Sequence, residues 1–235
     1  MWSKKSNKYC LIMNKEKKLK IYSEEKEERF SVLEEPAATC GRHYSDVKHY
    51  SYADYITWID GKVREIMNGI VKLMSSPSRT HAEISSRIVY ELETHIRKNK
   101  CKCKVYNAPF DVRLPKNDEV ADDKIYTVVQ PDICVVCDLS KLDKRGCLGA
   151  PDLVVEIQSP STATYDLTDK FFAYEAAGVR EYWIVFPGMD AITIFRLQEN
   201  GKFDKGTPYE YDAKVTSQVL YGFEIMLEDL FRDLQ

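Results

Sequence analysis

Residues 153–186 read LVVEIQSPSTATYDLTDKFFAYEAAGVREYWIVF, and their order decides the fold class. Over 153–158 the side chains alternate: Leu153, Val155 and Ile157 fall on one face of a strand, and Val154, Glu156 and Gln158 on the other. Ser159-Pro160-Ser161-Thr162 predicts a turn. A helix is then expected over 166–177, with Leu167, Phe171 and Tyr174 as its apolar stripe and Gly178 as its left-handed C-cap. Residues 181–186, rich in aromatic and β-branched types, read as the next strand. A strand, a helix and a strand in succession imply a crossover, hence a mixed sheet with helices packed on it. The fold class is α/β (α+β).

The flanks agree. Upstream, two short strands surround Asn68-Gly69, a two-residue hairpin signal. After Ser76, Pro77 and Ser78 break the strand, Thr80 and Glu83 have the spacing of a capping box. The helix that follows places Ile84, Ile88, Val89, Leu92 and Ile96 on one face and stops near Lys98-Asn99-Lys100. Residues 104–106 and 110–114 read as strand on either side of a bend at Pro109, 115–125 as a polar loop, and 128–137 as a strand entered through Pro131. Ser51 would cap a short helix over 52–58. Downstream, 181–186 and 191–197 form a hairpin, with a strand near 209–211 and a last helix over 227–234. Tyr182, Trp183, Phe186, Phe171 and Phe172 are expected in the core. Residues 1–42 read as a polar arm with a short strand at 9–13, and 43–235 as one domain.

The chain has 34 basic and 37 acidic residues, a formal net charge of −3, which excludes coating nucleic acid by bulk positive charge. The first 50 residues carry 11 basic and 8 acidic side chains, so the arm is mildly basic and the body acidic. Any nucleic-acid contact must then come from local rims such as Arg79, Arg87 and the run from Arg97 to Lys104. Seven cysteines, odd in number and irregularly spaced, argue against a disulfide framework and for a reducing cytoplasm. Cys134 and Cys137 spell CxxC, but inside a strand they point to opposite faces and share no metal. No stretch has the roughly 18 apolar residues of a membrane span, so a cytoplasmic protein with no membrane partner is expected. There is no phosphate-cradling glycine loop, nucleophile elbow or stacking platform for single strands.

The chemistry concentrates in the acids of two apolar runs. Glu156 lies inside a strand built for burial, and a buried carboxylate is costly unless paired, hydrogen-bonded or metal-bound. Asp132 opens the run Ile133-Cys134-Val135-Val136. If these strands pair, the two carboxylates converge on one cation, and two carboxylates with water suit Mg²⁺. Lys170, four residues after Asp166 on the following helix, is the cation candidate beside the attacking water. The alternative is a pair of structural acids satisfied at strand edges.

The stretches VVQPDICVVCD, GAPDLVVEIQSPST, YDLTDKFFAYEAAGVREYWIV, REIMNGIVKLMSSPSRTHAEIS and APFDVRL together resemble the Uma-type restriction endonucleases of the PD-(D/E)XK nuclease superfamily. The resemblance covers about residues 50–200 and leaves the arm out. It implies a restriction-endonuclease-like core, a mixed central sheet flanked by helices, with an N-terminal hairpin and C-terminal strands added. It implies that Asp132 is the Asp of the PD half-motif, that Glu156 is the acid of the (D/E)XK half, and that both bind metal. Gln158 stands where that motif has lysine, and the lysine is relocated to Lys170. His81 matches a histidine near the site, or is a surface or packing residue at the helix start. Glu65 matches a third metal-side acid, or is only the cross-strand partner of Lys72. The function implied is an endonuclease dependent on Mg²⁺ (or Mn²⁺) that hydrolyses DNA phosphodiesters as a homodimer. Two rivals stand beside it: a catalytically inert nuclease-fold module for nucleic-acid binding or assembly, and a hydrolase of another phosphate ester.

Overall fold

The computed structural model describes residues 9–13, 19–23, 48–117, 119–159 and 163–234. The chain divides into two compact units, Met1–Val47 and Lys48–Gln235. In the first, β1 (Tyr9–Met13) pairs antiparallel with β2 (Leu19–Ser23), with Leu11 opposite Ile21. The strand expected at 9–13 is therefore present, β2 is a second strand in the arm, and the rest of the arm lies outside the described residues, as do Pro160, Ser161 and Thr162 of the expected turn.

The second unit begins with α1 (Tyr52–Tyr55), shorter than the expected 52–58. Ser51 does cap it, in the reverse sense to a usual N-cap: its N–H and Oγ both donate to Asp54 Oδ2. The hairpin β3 (Arg64–Met67) and β4 (Ile70–Leu73) follows. Asn68 and Gly69 have φ of 51° and 86°, the doubly positive turn that matches strand twist. Next comes α2 (Arg79–Lys98). Its cap is Ser78, whose side chain accepts from the His81 N–H, and the expected box at Thr80 does not form. Ser78 takes the extended backbone of an N-cap, so the helix starts two residues early and Glu83 pairs with Arg79 instead.

The two stretches expected around Pro109 are separate strands, and the stretch read as one strand over 128–137 is divided in two. Residues 104–114 become β5 (Lys104–Asn107) and β6 (Val112–Arg113), and 128–137 become β7 (Val128–Val129) and β8 (Ile133–Val136). The breaks fall at Pro109 and Pro131, since proline has no N–H to continue a ladder. Each break carries the chain from one sheet to another. With β9 (Leu142–Asp143), β10 (Gly146–Leu148), β11 (Leu153–Ile157), β12 (Glu181–Phe186), β13 (Ala191–Arg196) and β14 (Thr207–Tyr209), the result is two six-stranded sheets. Their orders are β4-β3-β7-β6-β10-β9 and β14-β13-β12-β11-β8-β5. Both are mixed: β6 runs parallel to β10, and β11 to β12. The mixed sheet implied by the sequence is thus two sheets joined at Pro109 and Pro131.

Between β11 and β12 lie α3 (Ala163–Tyr165), a π-helical turn (Asp166–Lys170) and α4 (Phe171–Ala177). Gly178 ends α4 at φ 90°, the expected left-handed cap. The C-terminal strands β15 (Lys214–Thr216) and β16 (Glu224–Met226) pair with each other, and α5 (Leu227–Phe231) closes the unit.

One face of the second sheet, through Ile133, Val135, Leu153, Val155, Trp183 and Ile194, packs against Ile84, Ile88, Leu92 and Ile96 of α2. Each of these four α2 residues contributes about 1.5–3 kcal/mol by leaving water. On the other side Phe171 packs edge-on against Phe195 and Phe203. Phe172 points outward and is 39% exposed, so it is not a core residue. Arg87 is no nucleic-acid rim either: its guanidinium donates to the carbonyls of Leu230 and Arg232 at the end of α5. Arg79 and Arg97 pair with Glu83 and Glu93.

Cysteine usage also departs from expectation, because Cys103 and Cys137 form a disulfide. The β5–β8 register sets Lys104 opposite Val136 and so brings these two residues face to face one step further on. Sequence spacing carried no trace of a contact made across two strands. Cys101, Cys134 and Cys147 are free thiols. Cys134 and Cys137 do lie on opposite faces, Cys137 with the α2-side core and Cys134 beside Cys147.

Candidate active site

The site sits where β8 and β11 meet below the 163–177 helical segment. In their antiparallel register Val155 faces Ile133, which sets Glu156 opposite Asp132 on the other side of the sheet. Pro131 ends the ladder of the first sheet, and Asp132 occupies the seam before β8 begins. Asp132 Oδ2 accepts from the Ile157 N–H at 2.7 Å and lies 3.0 Å from His81 Nε2. The His81 ring is set there by the first turn of α2, where Ser78 holds the His81 backbone N–H.

Glu156 is buried in the middle of β11. Its Oε1 accepts from Lys170 Nζ at 2.8 Å and from the Tyr174 hydroxyl at 2.7 Å. Lys170 ends the π-helical turn, a widened turn often found at functional sites. This turn and the first turn of α4 set Asp166, Lys170 and Tyr174 four residues apart, with Lys170 Nζ 4.0 Å from Asp166 Oδ1. Sequence reasoning placed Tyr174 only in the apolar stripe. Its hydroxyl could have been flagged, since a buried tyrosine needs a partner.

Glu65 is fully buried and reaches the same amine: Lys170 Nζ lies 3.0 Å from its Oε1, which also accepts from the Gln130 N–H at 2.8 Å. Lys72 stands opposite Glu65 in the β3–β4 register, as the cross-strand reading of Glu65 expects. Gln158 follows β11 directly. Three buried polar atoms of this group, Glu65 Oε2, His81 Nδ1 and Gln158 Nε2, have no hydrogen-bond partner among the described residues. Such atoms are rare in folded proteins and mark places where a further group belongs.

Burial pushes Glu156 well above the usual carboxylate range, and Asp132, Asp166 and Glu65 add to it against the pull of Lys170. For Lys170 burial works in the opposite sense, but Glu156, Glu65 and Asp166 outweigh it and hold the amine protonated well above the ordinary lysine range. Lys72 is half-buried with its Nζ 3.2 Å from the Tyr165 ring centroid. Burial lowers its amine, with Asp166 and Glu65 pulling the other way. Carboxylates thus outnumber cations here, an imbalance that a divalent ion relieves. Among the described residues no group of three or more His, Cys, Asp or Glu lies at metal-ligating spacing. The residues that could hold a divalent ion are the pair Asp132 and Glu156, since one or two carboxylates with water fit Mg²⁺.

Fold and cluster together define an α/β protein with a buried carboxylate–lysine centre at the seam of two mixed sheets. The chain belongs to the Uma2 family, described as "Putative restriction endonuclease", whose match spans residues 52–228. It is similar in fold to a crystal structure described as "a putative nuclease belonging to DUF820" from Anabaena variabilis. That similarity has a TM-score of 0.63 at 17% identity and covers 79% of this chain and 99% of the other. It is also 25% identical over 151 residues to an uncharacterized protein of Synechocystis, covering 63% of this chain and 74% of the relative. Among the described residues no helix is long and apolar enough to cross a membrane.

Proposed function

We propose that the protein is a divalent-metal-dependent endonuclease that hydrolyses DNA phosphodiester bonds. The observation that carries this reading is the Lys170 amine on Glu156, with Asp132 opposite Glu156 on the same side of the sheet. Membership of a family described as "Putative restriction endonuclease" supports it. Asp132 and Glu156 are the residues to hold Mg²⁺ or Mn²⁺. When bound, such an ion polarises a phosphoryl oxygen and lowers the pKa of water. Lys170 and Tyr174 fix Glu156 through one oxygen, and His81 and the Ile157 N–H fix Asp132. Glu65 holds Lys170 from the second side. A two-fold dimer would let one protein address both strands of a duplex.

The inert nuclease-fold module is the second reading, favoured by one feature. Lys170 is only 2% exposed and saturated by acids, and Gln158 supplies no charge in its stead. The test is cleavage of supercoiled plasmid and of single-stranded DNA with Mg²⁺ or Mn²⁺. Asp132→Ala, Glu156→Ala and Lys170→Ala are each expected to lose about 10²-fold or more. Activity surviving all three changes refutes the site. Absence of cleavage and of Mn²⁺ binding by the wild type establishes the inert module.

A further inference from the structure

We infer that Lys72 is the cation through which this site meets a phosphate of its DNA substrate, an inference that rests on the nuclease reading above. A polyanion brought to a cluster rich in carboxylates needs an accessible positive charge. Lys170 cannot supply it, because its amine is buried and already engaged by Glu156 and Glu65. The neighbouring amine is that of Lys72, on the edge strand β4.

Lys72 has the properties that Lys170 lacks. It is half-buried, and it makes no ion pair within 4 Å among the described residues. Its Nζ rests over the ring of Tyr165, itself buried, and the Lys170 amine lies 5.5 Å from the same ring centroid. A lysine that only covers apolar surface keeps its ammonium in bulk water. Here the ammonium is instead held on an aromatic face beside the acid cluster, which fixes its position without neutralising it. The Tyr165 ring that carries it is itself fixed, being buried with Glu65 beside it. An ammonium fixed in place on a ring face, with no carboxylate within ion-pair distance among the described residues, is suited to a phosphate oxygen.

The test uses a fluorescein-labelled 20-base-pair duplex and the matching single strand, bound without divalent metal between 50 and 200 mM KCl and followed by anisotropy. Lys72→Gln should weaken binding about tenfold at the lowest salt and make the log Kd against log salt slope shallower by about one. Lys72→Arg should restore both. In cleavage, Lys72→Gln should raise KM and leave kcat within about threefold. A second measurement needs no variant: amine acetylation read by mass spectrometry should protect Lys72 when the duplex is present. Wild-type binding with unchanged affinity and slope in Lys72→Gln overturns this inference alone, as does equal labelling with and without duplex. Failure of the wild type to bind either probe overturns the inference and the DNA-nuclease reading together.

Discussion

Lys170 donates to Glu156 Oε1 at 2.8 Å from the end of a π-helical turn, and the same amine lies 3.0 Å from Glu65 Oε1. One ammonium thus ties β3 to β11 through a helix that belongs to neither. All three side chains are buried, so the arrangement is both a structural tie and the fixed charge of the candidate site.

Removing that charge leaves Glu156, Glu65 and Asp166 facing one another without a counterion. Lys170→Met, which keeps most of the side-chain volume, should therefore cost about 3–5 kcal/mol in urea unfolding. The loss should begin to shrink as pH falls while still well above the ordinary carboxylate range, because burial already raises Glu156 and removing the amine raises it further. A variant as stable as wild type at pH 8 would mean that the amine is not the counter-charge of this cluster.

Much of this was readable in the residues, and the part that was not has a physical cause. Alternation over 153–158 put Glu156 against its neighbours, and the spacing of Asp166 and Lys170 gave their pairing, because both are local. The meeting of Asp132 and Glu156 required two strands to pair, which sequence could pose only as a condition. The bend at Pro109 was legible, but that the stretches on either side of it, and of Pro131, join different sheets was hidden because each half keeps strand chemistry across its proline. Glu65 was ambiguous for the same reason: its local partner is Lys72 and its distant one Lys170. The disulfide between Cys103 and Cys137 depends on cross-strand register alone, which spacing does not encode.

Tyr174 offers a milder perturbation than Lys170. Tyr174→Phe deletes the hydroxyl that donates to Glu156 at 2.7 Å and changes little else. A hydrogen bond to a charged group contributes about 1.5–3 kcal/mol. The variant should lose stability of that order, and Mn²⁺-supported cleavage should fall because Glu156 is then free to rotate. Unchanged stability together with unchanged cleavage would remove Tyr174 from the site.

A pH effect is expected away from the site. Burial alone would raise Asp143, but the Arg113 guanidinium at 2.7 Å and the Arg145 N–H bring its carboxyl below the ordinary range. A depressed folded-state pKa gives stability that is present above the unfolded value, about 3.9, and lost as pH falls through the folded one. The gap between wild type and Asp143→Asn in thermal melts should therefore be constant above about pH 5 and narrow below about pH 4. A gap independent of pH would show that Asp143 and Arg113 are not coupled in solution.

The Cys103–Cys137 bond closes a segment with a sequence separation of 34. Constraining a loop of that length in the unfolded chain is worth about 3–4 kcal/mol. Cys103→Ser should cost that much without reductant and almost nothing with it, and non-reducing peptide mapping should recover the 103–137 link. Equal stability with and without reductant in the wild type would show that the bond does not form.

Metal binding links the site to the stability of the whole fold. An ion that binds only the folded state stabilises it by about 1.4 kcal/mol at ten times its Kd. The carboxylates that would take it lie on β11 and at the start of β8, both central to the second sheet, so the effect should appear as a global shift in Tm. Mn²⁺ should raise the wild-type Tm in a saturable way, whereas Asp132→Asn and Glu156→Gln should show no such rise. Lys72→Gln should keep it, because Lys72 meets the phosphate and not the ion. The same shift in Asp132→Asn and Glu156→Gln as in wild type would place the ion elsewhere and break the assignment of this carboxylate pair.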